Sequence, residues 1–400
     1  MRFKAVGSLG LFCFAGMLLT GSVLATLPSV STLPPVAAPK MVVPALAATS
    51  YVLMDYLSGE VLVKQADDQR VEPASLTKMM TVYLSDQALK AGRIKPTDQV
   101  KITEFAWRAP GSRMFLELNT EASIEDLRRG VIIQSGNDAS SALAEHVAGS
   151  EAAFVDWMNT EAKTLGMVNT HFMNASGLPD PNHYTTAYDM ALLARAVIRD
   201  FPETYALYAQ KEFTYNNIRQ ENRNRLLWRN ALVDGIKTGH TDSAGYCLVA
   251  SGKKDQTRLI AVLMGAEDDK RRIEESNTLI NYGFRFFQTR QLYAAHTALQ
   301  QARVWLGKDK TVDLGLAEDF YITEKTGSTA IQATMDVSQV IKAPLQSGMV
   351  LGTLRLSRDN QVIAERAIIA LSDVPEAGFF SRMWDTLRLA FHHLRQKIGF

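Results

Sequence analysis

The hydrophobic pattern of the chain changes period near Arg290. Upstream, apolar residues recur at helical spacing in several long segments, interleaved with short strand-like runs. Downstream come short alternating runs separated by turn residues: 312–316, 320–323, 331–337, 349–356 and 362–369. Strand side chains alternate between two faces, whereas helical ones return every 3.6 residues, so one pattern cannot serve both structures. The change predicts a mixed α/β (α+β) domain over 50–290 and a small all-β sandwich domain over 291–375. Residues 376–400 return to helical spacing. Phe380, Met383, Trp384, Leu387, Phe391, Leu394 and Ile398 share one face, with Arg382, Asp385, Arg388, Arg395 and Lys397 elsewhere on the wheel. Those charges are too many for a bilayer span. Aromatic and basic residues together suit a helix lying in a membrane interface; the alternative is a docked terminal helix.

The N-terminus reads as an export signal. Arg2 and Lys4 precede an apolar run from Ala5 to Leu19, and Val23-Leu-Ala25 offers a small-residue cleavage site. The run is short for a membrane span. A second candidate cut lies at Ala45-Leu-Ala-Ala48. The expectation is a signal peptide over 1–25, cut as late as 48 if the second site is used, and a Pro/Ala/Val/Ser-rich linker over 26–49. Cys13 falls inside the signal. Cys247 is then the single cysteine of the mature chain, which excludes an internal disulfide. Its apolar neighbours suit a strand interior and buried filler. A net charge of +1 argues against a nucleic-acid footprint. No H-E-x-x-H or C-x-x-C occurs, and His183 and His240 lie far apart, so neither metal nor cofactor is expected.

Within the α/β region, Tyr51–Tyr56 and Val61–Lys64 predict a hairpin. Pro73-Ala-Ser75-Leu-Thr-Lys78 opens a segment in which Leu76, Met79, Met80, Tyr83 and Leu84 recur, predicting a helix to Ala91-Gly92. Ser75 and Lys78 then project from one face, a turn apart. A helix N-terminus adds free backbone N–H groups and the positive end of the dipole. These are the components of a serine activated by an amine base. Val131–Gln134, Ser135-Gly-Asn137 and the Ala-rich stretch after them predict a helix end, a polar turn and a new helix. Further helices are expected over 151–165, 186–199 and 271–290. Val233-Asp-Gly-Ile-Lys237-Thr238-Gly239-His240 leads into two apolar strands, Ala244–Ser251 and Leu259–Gly265, joined by a turn over 252–256. A second Ser-x-x-Lys, Ser251 to Lys254, falls at that turn, where both side chains would be solvated. A second Lys-Thr-Gly, Lys325 to Gly327, lies in the predicted β domain.

The motifs Ser75-x-x-Lys78, Ser135-x-Asn137 and Lys237-Thr238-Gly239 stand in a fixed order on a helix start, an inter-helix turn and a strand. With Glu72–Thr81, Gln134–Ala139, Asn222–Trp228 and Val233–Thr241 around them, the chain resembles the low-molecular-weight penicillin-binding proteins that act as serine-type D-alanyl-D-alanine carboxypeptidases (peptidase family S11). The resemblance runs from about Tyr51 into the terminal helix. It implies a penicillin-binding/β-lactamase-like transpeptidase domain with an antiparallel sheet between helical clusters, then a β-rich stalk, then a membrane-surface anchor. It implies removal of the terminal D-alanine from peptidoglycan pentapeptide through an acyl-Ser75 intermediate, acylation by β-lactams, and a place at the periplasmic face of the inner membrane.

The roles it implies are Ser75 as nucleophile and Lys78 as general base. Burial and the nearby Lys237 cation would make Lys78 near-neutral. Ser135 relays the proton and Asn137 holds the substrate amide. The backbone N–H groups of Ser75 and His240 receive the oxyanion. Lys237, Thr238 and Gly239, helped by Arg272 and with Arg223 nearby, bind the substrate and its terminal carboxylate. A class A β-lactamase is the first alternative, but Thr170–Ala175 holds no glutamate, Glu161 comes too early, and the middle motif is Ser-Gly-Asn. A non-catalytic penicillin-binding scaffold runs against the presence of every expected side chain. A D,D-endopeptidase preference, set by loops, stays open.

Overall fold

The computed structural model of the protein describes residues 22–26 and 41–398. Most of the expected signal and the first half of the expected linker lie outside the described residues. Two compact units emerge. One runs up to Arg290 and includes Tyr321–Ser328; the other holds Gln291–Phe320 and the chain from Thr329, with Ser22–Thr26.

The first unit is built on a five-stranded antiparallel sheet. Its strands are β1 (Ser50–Asp55), β2 (Val61–Gln65), β3 (Val233–Thr241), β4 (Gly245–Lys254) and β5 (Thr257–Ala266), in the order β2-β1-β5-β4-β3. The central strands are covered on both faces, so they read as near-continuous apolar runs. Leu53, Leu259 and Ala261 point to one side, where Ile273, Leu279, Ile280 and Phe286 of a long helix cover them. Val52, Met54, Ile260 and Val262 point to the other, into a larger helical core. That core contains α1 (Lys78–Lys90), α2 (Asn137–Ala148), α3 (Glu151–Thr164) and α4 (Ala187–Asp200); the covering helix is α5 (Asp269–Phe286). The first nine residues of α1 are buried all round, because α2, α3 and α4 enclose it. Capping follows local chemistry: Ser150, Thr186 and Asp268 each accept a backbone N–H three residues on. Lys237-Thr-Gly lies on β3, the edge strand of the sheet.

Three local expectations change. The turn after β4 shrinks to Asp255 and Gln256, with Asp255 at φ +55°. β4 therefore continues to Lys254 and carries Ser251 into the interior, fully buried and not solvated. The helix expected to Arg290 stops at Phe286. Phe287–Tyr293 pairs with Phe320–Lys325, its alternation showing in buried Phe287 and Thr289 around exposed Gln288. Lys325-Thr-Gly327 consequently belongs to the first unit and not to the β-rich one.

In the second unit the strands join in one seven-stranded, nearly closed sheet. Its order is Ser22–Thr26, Gln332–Ser338, Val350–Arg358, Gln361–Ala370, Thr311–Gly315, Gln300–Trp305 and Ile341–Lys342. Ala333, Met335, Val337, Leu354 and Leu356 fill its core from alternate positions. Ser22–Thr26, at one end, straddles the expected cut after Ala25. The terminal helix α6 (Phe379–Ile398) is held by buried Asp385, which accepts from Lys310 Nζ at 2.8 Å and Leu306 N–H at 3.1 Å. Phe379, Phe380, Met383, Trp384, Leu387 and Phe391 remain exposed, and the side chains of Leu394 and Ile398 lie outside the described residues. Among the described residues no helix is long and apolar enough to cross a membrane.

Candidate active site

Ala74–Thr77 forms a single 3-10 turn that feeds directly into α1. Ala74 sits at φ +48°, a conformation that L-residues hold only when their surroundings enforce it. Gly177, at φ +85°, makes room for that turn: any Cβ there would run into the Ala74 carbonyl. The turn presents Ser75 to solvent and Lys78 to the interior, with Lys78 Nζ 2.9 Å from Ser75 Oγ. Lys78 Nζ also donates to Asn137 Oδ1 at 2.7 Å and to the Ser176 carbonyl. Those two oxygens can only accept. In a neutral amine they take both N–H groups, which leaves the lone pair directed at the Ser75 hydroxyl.

Lys78 is fully buried, and burial is what lowers its pKa from 10.5 to about 7. Asp138 opposes that shift and Arg223 adds to it. Lys237 and Arg223 are the neighbouring cations, and repulsion between the two lysines disfavours the charge on both. Burial, then Lys78, Arg223 and Arg272, hold the Lys237 pKa well below the usual lysine range. Lys237 Nζ donates to Ser135 Oγ at 2.8 Å and to its neighbour's Thr238 carbonyl at 3.0 Å.

Ser135 follows a π-helical turn, Gly130–Gln134, in the left-handed conformation (φ +65°), which swings its hydroxyl toward β3. Asn137, the first residue of α2, donates its backbone N–H to Ser112 and its side-chain amide to the Pro110 carbonyl. Asn137 therefore also orients Lys78, a contact that its expected part in substrate binding does not include. On β3, Lys237 and Thr238 are buried and His240 is exposed, its ring 4.0 Å from that of Tyr246. Gly239 passes the Ser75 turn so closely that a Cβ would lie 3.0 Å from the Pro73 carbonyl. Arg272 donates to the carbonyls of Gly239 and Cys247 and to Asp269, and packs over Tyr246. It thus props the end of β3 while facing the cleft. Arg223 donates to the Gln134 carbonyl at 3.0 Å. Ser75, Ser135, Arg223, Thr238, Gly239, His240 and Arg272 line one cleft of about 680 Å³.

Other candidates stand apart. Cys247 is buried on β4, and burial pushes its thiol up to about 11. His183 is buried against Thr77, its Nε2 2.9 Å from Thr77 Oγ1, and burial lowers its pKa to about 4. Among the described residues no three His, Cys, Asp or Glu side chains group to hold a metal. Sequence reasoning missed the Ser176 and Pro110 carbonyls, because a backbone oxygen leaves no residue-type signature. Asn174 was the available signal. Its Oδ1 accepts from the N–H groups of Ser176, Gly177 and Leu178 and so shapes the loop that supplies the Ser176 carbonyl.

The fold with its serine–lysine turn defines a penicillin-binding serine enzyme. Residues 37–268 match the peptidase S11 family, described as D-alanyl-D-alanine carboxypeptidase, and residues 287–376 match the C-terminal domain of penicillin-binding protein 5. D-alanyl-D-alanine carboxypeptidase DacC of Escherichia coli (strain K12) is 45% identical over 358 residues, 87% of this chain and 90% of that protein. DacA of the same strain is 45% identical over 360 residues, 88% and 89% of the two chains. The crystal structure of penicillin binding protein 5 from Haemophilus influenzae aligns with a TM-score of 0.81 at 44% identity, over 84% of this chain and 100% of that one. The chain belongs to the S11 family of D-alanyl-D-alanine carboxypeptidases, and its chemistry is that of a serine carboxypeptidase.

Proposed function

We propose that this carboxypeptidase removes the terminal D-alanine of peptidoglycan pentapeptide by acyl transfer to Ser75. One observation carries the assignment: Lys78 Nζ lies 2.9 Å from Ser75 Oγ, with its other two directions taken by acceptor oxygens. Neutral Lys78 takes the hydroxyl proton as Ser75 Oγ attacks the penultimate carbonyl carbon. The oxyanion forms against the backbone N–H groups of Ser75 and His240. Ser135, bonded to Lys237, hands its hydroxyl proton to the departing D-alanine nitrogen as the C–N bond breaks and takes one from protonated Lys78, which returns to neutral. Water then attacks the ester, Lys78 receives its proton, and that proton passes to Ser75 Oγ as the acyl C–O bond breaks, restoring the free serine and the neutral amine. Lys237, Thr238 and Arg272 bind the substrate's terminal carboxylate, with Gly239 allowing β3 its close approach. Burial, with Arg223 adding to it, lowers the Lys78 pKa to about 7. A β-lactam enters the same first step and stays as the acyl-enzyme.

The test is intact-protein mass spectrometry after benzylpenicillin, together with D-alanine release from a D-Ala-D-Ala peptide. A single penicilloyl adduct that disappears in Ser75→Ala is expected. An adduct that survives the substitution would overturn the assignment.

The export signal and the exposed aromatic face of α6 support a location at the periplasmic face of the inner membrane, held peripherally by that helix. Deleting residues 376–400 should abolish co-sedimentation with anionic vesicles and leave peptide hydrolysis intact. Continued co-sedimentation would refute the anchor.

A further inference from the structure

His183 lies outside the cleft, yet hydrogen bonds connect it to the groups inside. Its Nε2 is 2.9 Å from Oγ1 of Thr77, the residue directly before Lys78. Its Nδ1 is 3.4 Å from Nδ2 of Asn174. The direction of each bond follows from Asn174. Oδ1 of Asn174 accepts the N–H groups of Ser176, Gly177 and Leu178 together with the Ser176 hydroxyl, which only an oxygen can do. The other terminal atom is therefore the amide nitrogen. One of its hydrogens goes to the Leu178 carbonyl at 3.0 Å and the other to His183 Nδ1. His183 Nδ1 then accepts, the ring proton sits on Nε2, and Nε2 donates to Thr77. Only a neutral imidazole fits this arrangement, and burial keeps the ring neutral by lowering its pKa to about 4.

The chain of bonds joins the two segments that hold the Lys78 amine. Thr77 ends the turn that leads into Lys78, and the 174–178 loop supplies the Ser176 carbonyl that accepts from Lys78 Nζ. One turn farther along α1, Thr81 Oγ1 donates to the Ala175 carbonyl at 2.6 Å, so the loop is fastened to α1 at a second point. Neither Asn174 nor His183 lines the cleft.

We propose that Asn174 and His183 are positioning residues for the acylation step: they hold the Ser176 carbonyl against Lys78 Nζ, and so keep water from the amine and its lone pair on Ser75. The inference rests on the reading of Lys78 as the base. Without the His183 bridge the loop draws back and water takes the carbonyl's place. Water solvates the ammonium form and offers the amine an acceptor on any side, so the proton affinity of Lys78 rises and fewer amines point at Ser75. Asp138, Arg223 and Lys237 are the charged groups that face Lys78, and Asp180 and His171 face the imidazole from its other side. A substitution at His183 leaves all five in place.

The test follows benzylpenicillin acylation of the full chain across the rise near pH 7. His183→Phe keeps a ring and removes both nitrogens. It should move the midpoint of the rise up by about one pH unit and lower the plateau by about 10–100-fold, the scale for a misplaced reacting group. His183→Gln restores one acceptor and one donor and should bring both values close to wild type. Thr77→Val removes only the receiving oxygen and should move the midpoint the same way by less. A purely structural part for His183 would lower the urea midpoint and leave the acylation profile where it was. That result in folded His183→Phe, or a His183→Gln no better than His183→Phe, overturns the proposal. If His183→Phe does not fold, an unmoved midpoint in Thr77→Val overturns it. A wild-type rate that shows no rise through pH 7 overturns the reading of Lys78 as base, and the positioning roles with it.

Discussion

Ser75 and Lys78 share one turn, with their functional atoms 2.9 Å apart. Ser251 and Lys254 have the same spacing but lie on strand β4, where positions three apart face opposite sides of the sheet. Ser251 is buried, accepting a hydrogen bond from Arg258 at 2.9 Å within the Asp234–Arg258 ion pair, and Lys254 points into solvent. The Lys-Thr-Gly pair divides in the same way. Lys237 is buried against Ser135 on an edge strand, whereas Lys325 is exposed at a strand end. A spacing becomes chemistry only when the backbone converts it into a distance and the interior removes water from the base.

The sharpest way to break this contrast is at the serines. Ser75→Ala should lower D-alanine release by at least about 10⁴-fold, the scale for losing a nucleophile. Ser251→Ala should leave the rate within about twofold and cost about 1–3 kcal/mol in urea unfolding, since Arg258 loses a buried acceptor. Comparable loss of rate in both variants would end the distinction.

The lysines come next. Lys78→Met should slow acylation by benzylpenicillin by about 10²–10⁴-fold, the range for a general base. Lys254→Met should have no effect on the same stopped-flow trace. Lys237→Ala should cost about 10²-fold or more in kcat/KM, while Lys325→Ala should be indistinguishable from wild type.

The smallest effects are in pH dependence. Lys78 must be neutral to act, so the acylation rate should rise with pH through about 7. The stability effect has a definite sign. Lys78 has a folded-state pKa below its unfolded value of 10.5, so between 10.5 and about 7 the unfolded chain binds a proton that the folded chain refuses. Its contribution to stability falls by about 1.4 kcal/mol for each unit of decreasing pH across that window and levels off below it. Urea titrations of Lys78→Met at pH 7 and 9 should show a flatter dependence than wild type, whereas Lys254→Met should keep the full slope.

Much of the fold was legible because periodicity reports burial directly. The α1 segment, the helix–turn–helix around Ser135, the hairpin before α1 and the amphipathic face of α6 all follow from which positions are apolar. The boundaries that shifted did so for tertiary reasons. β4 outran its predicted end because one left-handed residue, Asp255, suffices for the turn. Helix α5 stopped short because Phe287 and Thr289 find a strand partner some thirty residues downstream, which no local window contains.

What the chain determined by itself was the set of groups proposed to react and their order. Ser75 and Lys78 meet through helical geometry alone, and Lys237-Thr-Gly needs a strand that its own neighbours build. What only the tertiary structure decided was the state of those groups. The pKa of Lys78 falls to about 7 because α2 and the 174–178 loop bury it, with Arg223 adding to the effect. Its lone pair faces Ser75 because Asn137 and a backbone carbonyl take the other directions. Burial and backbone hydrogen bonding are collective properties of distant segments, so residue spacing can name the participants but cannot set their protonation or their aim.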